Sequence, residues 1–463
     1  MPTYPPLVPG QKFKAYGQSI TWSSLHFTPT QLRPLLFTHD VLADECLSRL
    51  DTLYPPPSSS HHGDHLALLL QSRSEYPSDP ILSQFWTNLT TIPSWVSLPH
   101  LTRAQKVLYR HLGPNIVGLT FQSLLGGLAS PLVSSTLAQT NGFSPNTARR
   151  RLLQTFQHLL DITSSPDSIL PPRGEGFLST IRVRLLHASV RRRLLLKSQN
   201  QGPTSIPIPI NDLHSLATIL SFSTSLTDLS LPRQGIFLSL QEREDWLSLW
   251  RYAAHLLGCS HPSLSSLPRA RAMLESIVVS ELNDPSDTSK RLASNMLASL
   301  SDSPPTFPSK QFLCAQGRWL NGSELSNCLG IPNPGVYYTL LAGTQCVLFV
   351  LGHMFWKFMH LFPAAGVGER WDGMVVDGAK RVIRKRMKEM MQDTGKDGYV
   401  TDWWAFTKQH KGGEMKRKGR RGTISVEQKI LVMMVLMLAG IGWVGWMVAS
   451  VLMGGFRGLL PWS

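Results

Sequence analysis

Apolar residues recur every three or four positions along most of the chain, which is the period of a helix with one buried face. Leu213, Leu216, Ala217 and Leu220 illustrate this spacing. The alternation of apolar and polar residues that is typical of strands is scarce. Stretches rich in proline and serine separate the helical segments, at 54–60, 164–172, 203–209, 260–268 and 302–308. The pattern predicts an all-α protein.

A segment without any charge runs from Ile430 to Phe456, ILVMMVLMLAGIGWVGWMVASVLMGGF. As a helix rising 1.5 Å per residue it would be about 40 Å long, which exceeds the ~30 Å thickness of a bilayer's hydrocarbon core. We therefore predict a C-terminal transmembrane helix. A cluster of lysines and arginines between 411 and 429 precedes it, and only Arg457 follows it. The positive-inside rule then predicts a single-pass, tail-anchored membrane protein whose bulk is cytosolic.

A second apolar run, VYYTLLAGTQCVLFVLGHMFW (336–356), is interrupted by Gln345 and His353. We interpret it as a buried core helix, and its length leaves open whether it spans the membrane. The predicted organisation is an N-terminal extension, a helical oxygenase-like domain, a basic helical extension, the anchor and a short tail, at 1–29, 30–365, 366–429, 430–456 and 457–463.

Composition limits the function classes. Of the 463 residues, 42% are hydrophobic and 16% are charged, which excludes a disordered polyelectrolyte. The net charge of +15 is concentrated in 380–391 and 411–421. Because no zinc-finger, RNA-binding or helix-turn-helix pattern accompanies it, we expect no nucleic-acid partner. The five cysteines form neither a CxxC pair nor a CxxCH haem-attachment site. Sequence motifs of serine hydrolases, zinc proteases and nucleotide-binding loops are missing too.

The stretch RRRLLQTFQHLLDI (149–162) opens with three arginines in an otherwise apolar helical pattern. Arg151 and Thr155 are i,i+4 neighbours and share a face, with His158 on the next turn. A guanidinium and a hydroxyl inside an apolar helix need polar partners, which an oxygen-binding pocket would provide. The alternative is that Thr155 hydrogen-bonds its own helix while Arg151 faces solvent.

The stretch IRVRLLHASVRRR (181–193) places one histidine among leucines and arginines. On a helix, Arg184 and Arg191 flank His187 at i−3 and i+4. Such a helix would suit the proximal side of a haem, with a neutral imidazole for the iron and cations for the propionates. A basic amphipathic helix with a partly buried histidine explains the same residues.

These stretches occur in a distinctive order, followed by NDLHSLATILSFS (211–223), GIFLSLQEREDWLSLWRYAAHLLG (235–258) and RWLNGSELSNCLGIPNPGVYYTLL (318–341). Together they resemble the family of ER-bound oxygenases of the mpaB type and rubber oxygenases, or latex clearing proteins, over roughly 30–360. The resemblance implies a globin-like, all-α domain that holds a non-covalent haem b. It implies that His187 is the proximal iron ligand and that Arg151 and Thr155 act on the distal or haem-contacting helix.

One position departs from the family pattern. Rubber oxygenases have a distal glutamate as base and a lysine beside the threonine, whereas here position 154 is Gln154. No acidic residue lies between Asp79 and Asp161. The resemblance therefore leaves open how this chain handles protons.

We expect a membrane-anchored, haem-dependent oxygenase that uses dioxygen to oxidise or cleave a carbon–carbon double bond of a prenylated or other lipophilic substrate. Arg184, His187 and Arg191 would hold the cofactor, and Arg151 and Thr155 would act in catalysis. Lipids would contact the anchor, and the endoplasmic reticulum is favoured over the mitochondrion. A catalytically silent anchored scaffold of the same fold, and a haem sensor or electron-transfer protein, remain as alternatives.

Overall fold

The structure is a computed structural model, and it describes residues 8–15, 18–55, 64–145, 147–199, 207–282, 284–361, 367–392 and 425–436. The described chain is predominantly helical, which confirms the predicted all-α class. One antiparallel hairpin is the exception, formed by β1 (Lys12–Ala15) and β2 (Gln18–Thr21), with Lys12 opposite Thr21 and Ala15 opposite Gln18.

The helices follow in chain order: α1 Pro29–Leu32, α2 Val41–Leu53, α3 His65–Glu75, α4 Pro80–Thr90, α5 Leu98–Arg110, α6 Leu112–Gly118, α7 Pro131–Gln139, α8 Ala148–Thr163, α9 Glu175–Gln199, α10 Asp212–Phe222, α11 Leu231–Arg233, α12 Leu240–Leu256, α13 Leu267–Glu281, α14 Asp287–Leu300, α15 Lys310–Cys328, α16 Val336–His360, α17 Val367–Gln392 and α18 426–436. Short 3-10 helices follow α1 and α12. Two π-helical stretches, Leu119–Leu125 and Leu226–Ser230, follow α6 and α10.

The stretches with the three arginines and with the embedded histidine form two long neighbouring helices, α8 and α9. They run antiparallel, because His158 contacts Ser179 while Arg151 lies near His187. Helix α8 ends before the Ser-Ser-Pro sequence at 164–166, where proline disfavours helix in the preceding residue. Helix α9 begins at Glu175, whose carboxylate suits the positive end of a helix dipole.

Most of the core lies in one apolar cluster built by α2 to α5, α8 to α10, α12 and α13. A second cluster joins the hairpin to α7, α14 and α15, with Ala15 and Ile20 buried in it. The hairpin therefore closes one side of the helical body, although it falls within the predicted N-terminal extension at 1–29.

The interpretation of 336–356 as a buried helix is wrong in part. These residues do form a helix, α16, but only Leu341, Ala342 and His353 of it are buried. Among the described residues, α16 is also the one helix that is long and apolar enough to cross a membrane. Its periodicity predicted a helix, but a row of its apolar side chains along one side is exposed.

The predicted anchor begins within α18, and residues 437–456 lie outside the described part of the chain. Helix α17, which falls in the predicted basic extension, packs onto the body. The Arg110 Nε donates to Asp372 Oδ1 at 2.7 Å, and the Lys380 ammonium donates to the Ser164 carbonyl at 3.0 Å. The domain boundaries remain a prediction.

Candidate active site

A cavity of about 390 Å³ lies between α8, α9, α10, α13 and the N-terminal hairpin. This volume falls in the usual range of small-molecule sites. Its wall is largely apolar, formed by leucine, isoleucine, valine and phenylalanine side chains. Polar side chains interrupt that wall: Gln18, Gln122, Ser123, Ser130, Arg151, Thr155, His158, His187, His214, Thr218, Ser221, Ser225, Arg233, Glu275, Glu281 and Asn321. Such a cavity suits a mostly apolar ligand with some polar groups.

His187 lines this cavity from the middle of α9. Burial, and then the nearby positive charges of Arg191 and Arg151, lower the pKa of its imidazole to about 4. At neutral pH the ring is therefore uncharged, which is the form that binds metal. Its ring makes no hydrogen bond to any residue that the structure describes. A buried, neutral imidazole beside a cavity fits an iron ligand.

Arg151 and Thr155 line the same cavity from α8. The structure combines the two alternatives that the sequence left open. The Thr155 hydroxyl donates to the Arg151 carbonyl at 3.1 Å, so it does hydrogen-bond its own helix. Arg151, however, lies in the interior, where burial and then Arg150 and Arg193 lower the pKa of its guanidinium to about 10. It stays protonated at pH 7 and gives the cavity a buried positive charge.

Arg184 is placed differently from the prediction. Its side chain is 3% exposed and forms a two-point ion pair with Asp40, from Nε at 2.6 Å and from Nη2 at 2.9 Å. Its Nη1 also donates to Asn88 Oδ1 at 3.0 Å. Gly258 makes room for this pair, because a Cβ there would clash with the Asp40 carboxylate and its φ is +74°.

Arg191 has a similar role one turn beyond His187. Its Nη2 donates to Asp44 Oδ1 and to the Asp40 carbonyl, at 2.5 and 3.1 Å, and its Nη1 donates to the Ile210 carbonyl at 3.1 Å. Neither Arg184 nor Arg191 is among the residues in the wall of the large cavity. Their guanidinium groups form ion pairs with Asp40 and Asp44 at the start of α2, which hold α9 against α2.

A short polar chain leads from the cavity wall into the interior between α8 and α9. His158 Nδ1 lies 2.9 Å from Ser179 Oγ, and Ser179 in turn hydrogen-bonds Asp161. Burial raises the pKa of the Asp161 carboxyl to about 6, although hydrogen bonds from Gln157 and Ser179 oppose the shift. Burial also lowers the pKa of His158 to about 4. Because Ser179 has one hydroxyl proton, donating it to Asp161 leaves Oγ to accept from His158 Nδ1–H.

Sequence reasoning missed the acidic residues at the cavity. Asp161 lies on α8, in its last turn, so that helix does carry a carboxylate behind the cavity wall. Glu275 and Glu281 enter the wall from α13, more than 100 residues further along the chain. Glu281 Oε2 lies 3.7 Å from Nε2 of His214. No local motif marks Glu281, because only the packing of α13 against α10 brings it to the site.

Comparison with known proteins identifies the family. Residues 109–346 match the family model described as "ER-bound oxygenase mpaB/B'/Rubber oxygenase, catalytic domain". The match covers half of the chain and contains α8, α9 and the cavity's polar residues except those of the hairpin. The chain belongs to this oxygenase family.

A rubber oxygenase of Streptomyces sp. (strain K30) is 27% identical over 191 residues, which is 39% of this chain and 43% of that protein. The matched part thus spans less than half the length of this relative. A solved structure of latex clearing protein in the closed state superposes with a TM-score of 0.56 at 20% identity, and covers 76% of this chain and 91% of that one. At this identity the likeness concerns the fold.

Proposed function

We propose that this member of the oxygenase family is a membrane-anchored, haem-dependent oxygenase that acts on a carbon–carbon double bond of a prenylated or other lipophilic substrate. The observation that carries the proposal is the position of His187, an uncharged imidazole in the interior, at the wall of a large apolar cavity that Arg151 and Thr155 also line.

The cavity's chemistry suits a b-type haem in a globin-like helical setting. His187 would bind the iron, the apolar walls would enclose the macrocycle, and a bound haem would supply the activation of dioxygen. Arg151 and Arg233 bring guanidinium groups into the cavity wall. Because Arg151 lies beside Thr155 on α8, we assign the haem carboxylates to Arg233, in place of the Arg184 and Arg191 that the sequence suggested.

Arg184 and Arg191 serve the cofactor indirectly in this proposal. Each ion-pairs with a partly buried aspartate at the start of α2, one turn before and one turn after His187. These two ion pairs, on either side of His187, fix the rotation of α9 about its axis and therefore the direction in which the imidazole points. A ligand to iron needs this kind of support, because a small error in ring orientation weakens the bond.

Arg151 and Thr155 are the catalytic residues we propose. The Arg151 guanidinium keeps a positive charge in a place that excludes water, where it stabilises negative charge that develops on oxygen. The Thr155 hydroxyl already donates to the Arg151 carbonyl, so its oxygen lone pairs remain to accept a hydrogen bond from the cavity side.

Two sets of residues handle protons in place of the glutamate of rubber oxygenases. The first is the His158, Ser179 and Asp161 chain, whose carboxyl has a pKa of about 6 and so exchanges a proton near neutral pH. The second is the Glu281 carboxylate beside His214. Gln154 has no acid or base function and is not in the cavity wall.

The reaction is balanced with dioxygen alone. Cleavage of a double bond by one dioxygen breaks the carbon–carbon bond and gives two carbonyl groups, each with one of the two oxygen atoms, so that no external reductant is consumed. A lipophilic substrate partitions into membranes, and a C-terminal helix at 430–456 would hold the domain beside it. We place the bulk of the chain in the cytosol and the anchor in the endoplasmic reticulum, which the family's description favours.

The test uses purified full-length protein in vesicles that contain a polyprenyl lipid, with haem supplied during expression. We expect dioxygen consumption and carbonyl products labelled by ¹⁸O₂, and we expect both to vanish in His187→Ala. A haem-loaded protein that consumes no dioxygen with any unsaturated lipid would favour a sensor. A protein that never binds haem would favour the silent scaffold.

A further inference from the structure

Helix α16 is apolar on its outward side as well as on its inward side, where Phe349 and Val350 pack against the core. Its inward side also carries polar groups: Gln345 Oε1 accepts from Gln316 Nε2 at 2.6 Å, and the His353 ring lies 4.9 Å from that of His111. Its outward side is a stripe at helical spacing, each member at least 47% exposed: Leu340, Val347, Leu351, Met354, Phe355 and Phe358. We call this stripe the outer face of α16. The outward side of a helix that faces water usually carries polar residues instead.

The outer face lies next to the start of the uncharged C-terminal segment. Ile430 of α18 is buried against Phe312, Leu341 and Ala342, and Thr344 Oγ1 lies 3.4 Å from Met434 Sδ. Residues 430–436 are thus packed along α16, while 437–456 are still long enough as a helix to span the ~30 Å hydrocarbon core. The anchor therefore reaches the bilayer close to α16.

Both ends of α16 return to the same helical body. It follows α15 directly, and Trp356 near its C-terminus donates from Nε1 to Asp372 of α17 at 3.3 Å. Asp372 is held in turn by Arg110 of α5. Since a helix that crosses a bilayer has its two ends on opposite sides, α16 does not cross. It lies along the surface of the domain.

Helix α17 begins beside the end of this apolar stripe, with Phe355 and Trp371 at a ring distance of 5.5 Å. Its exposed surface has a net positive charge, although the apolar Met374 and Val382 are exposed as well. Its exposed charged residues are six cations, Arg370, Arg381, Arg384, Lys385, Arg386 and Lys388, and three acids, Glu369, Asp377 and Glu389. A net positive surface next to an apolar stripe suits an anionic lipid surface, whereas it would repel the same surface of a second copy.

We propose that the outer face of α16 is immersed in the cytosolic leaflet of the membrane that the C-terminal anchor crosses, with the cations of α17 on the anionic headgroups. The proposal rests on the anchor of the proposed function. In this arrangement the helical domain lies on the membrane in a fixed orientation. Without the contact of α16, the anchor alone would connect the domain to the membrane.

The test measures where α16 lies in vesicles of phosphatidylcholine with 20 to about 30% phosphatidylserine, a composition chosen to mimic a cytosolic leaflet. An environment-sensitive fluorophore is attached to Met354→Cys in the full chain, with the half-buried Cys328 and Cys346 replaced by serine. The control is Leu70→Cys. Leu70 is 39% exposed and lies on α3, a helix that packs against α2, α4 and α9. Nitroxide lipids quench the fluorescence of a probe inside the membrane, and iodide quenches that of a probe in water.

We expect nitroxide lipids to quench the Met354 probe several-fold more than the Leu70 probe, and iodide to show the reverse order. Iodide quenching of the Met354 probe as strong as that at Leu70 would overturn the proposal. Protection from both quenchers would also overturn it, since a second copy of the chain then covers the face. Alkaline extraction of the same vesicles tests the anchor separately. If the chain resists extraction while the Met354 probe is exposed to water, the membrane anchor is supported and the contact of α16 with the membrane is excluded.

Discussion

Replacing Arg184 tests whether this side chain holds the His187 helix or binds the cofactor. In Arg184→Met the aspartate Asp40 stays in the interior without its ion pair, and hydrogen bonds to Asn88 and to the Leu256 carbonyl are lost as well. Removing one partner of a buried ion pair costs about 3–5 kcal/mol, because the remaining charge is left uncompensated. We expect a loss of that size in the free energy of unfolding of the haem-free protein.

The matched control is Arg192→Met on the same helix. Arg192 pairs with Asp51 at 2.9 Å, but both side chains are about one-third exposed. Surface pairs contribute about 0–1 kcal/mol, so this variant should be close to wild type. Urea unfolding followed by far-UV circular dichroism in mild detergent gives both values.

A double-mutant cycle with Asp40→Asn isolates the ion pair. Asparagine retains a side-chain oxygen for the Ala43 N–H at the start of α2, so the variant keeps the helix cap. We expect a coupling energy of about 2–3 kcal/mol between positions 184 and 40. If Arg184→Met destabilises the haem-free protein no more than Arg192→Met does and weakens only the affinity for haem, then Arg184 binds the cofactor and does not hold α9.

Further predictions concern the same two helices. Gly258→Ala should lower the melting temperature by pushing a Cβ into the Asp40 carboxylate, and an unchanged melting temperature would contradict this packing. Burial lowers the pKa of His158 from 6.5 in the unfolded chain to about 4 in the folded protein. As the pH falls through this window, the unfolded chain takes up a proton that the folded protein does not, so the free energy of unfolding decreases by up to about 3 kcal/mol. His158→Gln should reduce that slope in unfolding measured against pH. The raised pKa of Asp161 has the opposite sign: ionisation between pH 4 and about 6 destabilises the fold, and Asp161→Asn should be the more stable protein at pH 7.5. In Arg151→Ala we expect the absorption spectrum to show that haem is still bound, whereas most of the dioxygen consumption should be lost. Full activity of this variant would exclude Arg151 from catalysis.

The local geometry of the site could be predicted from the sequence. The i,i+4 relation of Arg151 and Thr155 and the embedded position of His187 follow from helical periodicity alone. The all-α class follows from the same period. What periodicity does not give is the direction in which a polar side chain faces, and so it left the back-bonding of Thr155 open.

The partners of Arg184 and Arg191 could not be predicted. Asp40 and Asp44 lie more than 140 positions earlier in the chain, in a helix that no motif connects to α9. An arginine in an apolar helix signals only that some acceptor must exist. The sequence therefore suggested a ligand as the acceptor, whereas the fold provides two aspartates.

Helix α16 shows the other limit. The spacing of its apolar residues predicted a helix with an apolar face, and burial in the core was the default for such a face. A signal for the opposite arrangement was present, because Gln345 and His353 are eight positions apart and lie on one side of the helix. An apolar stripe can face protein or lipid, and its spacing alone does not distinguish the two.

The visible absorption spectrum of the purified full-length protein, expressed with haem precursor, shows whether His187 binds haem iron. We expect an intense Soret band with one haem per chain, which is lost in His187→Ala and retained in the cavity-wall variant His214→Ala. A wild-type protein without a Soret band that also takes up no added haemin, or a His187→Ala variant with an unchanged spectrum, would contradict this expectation.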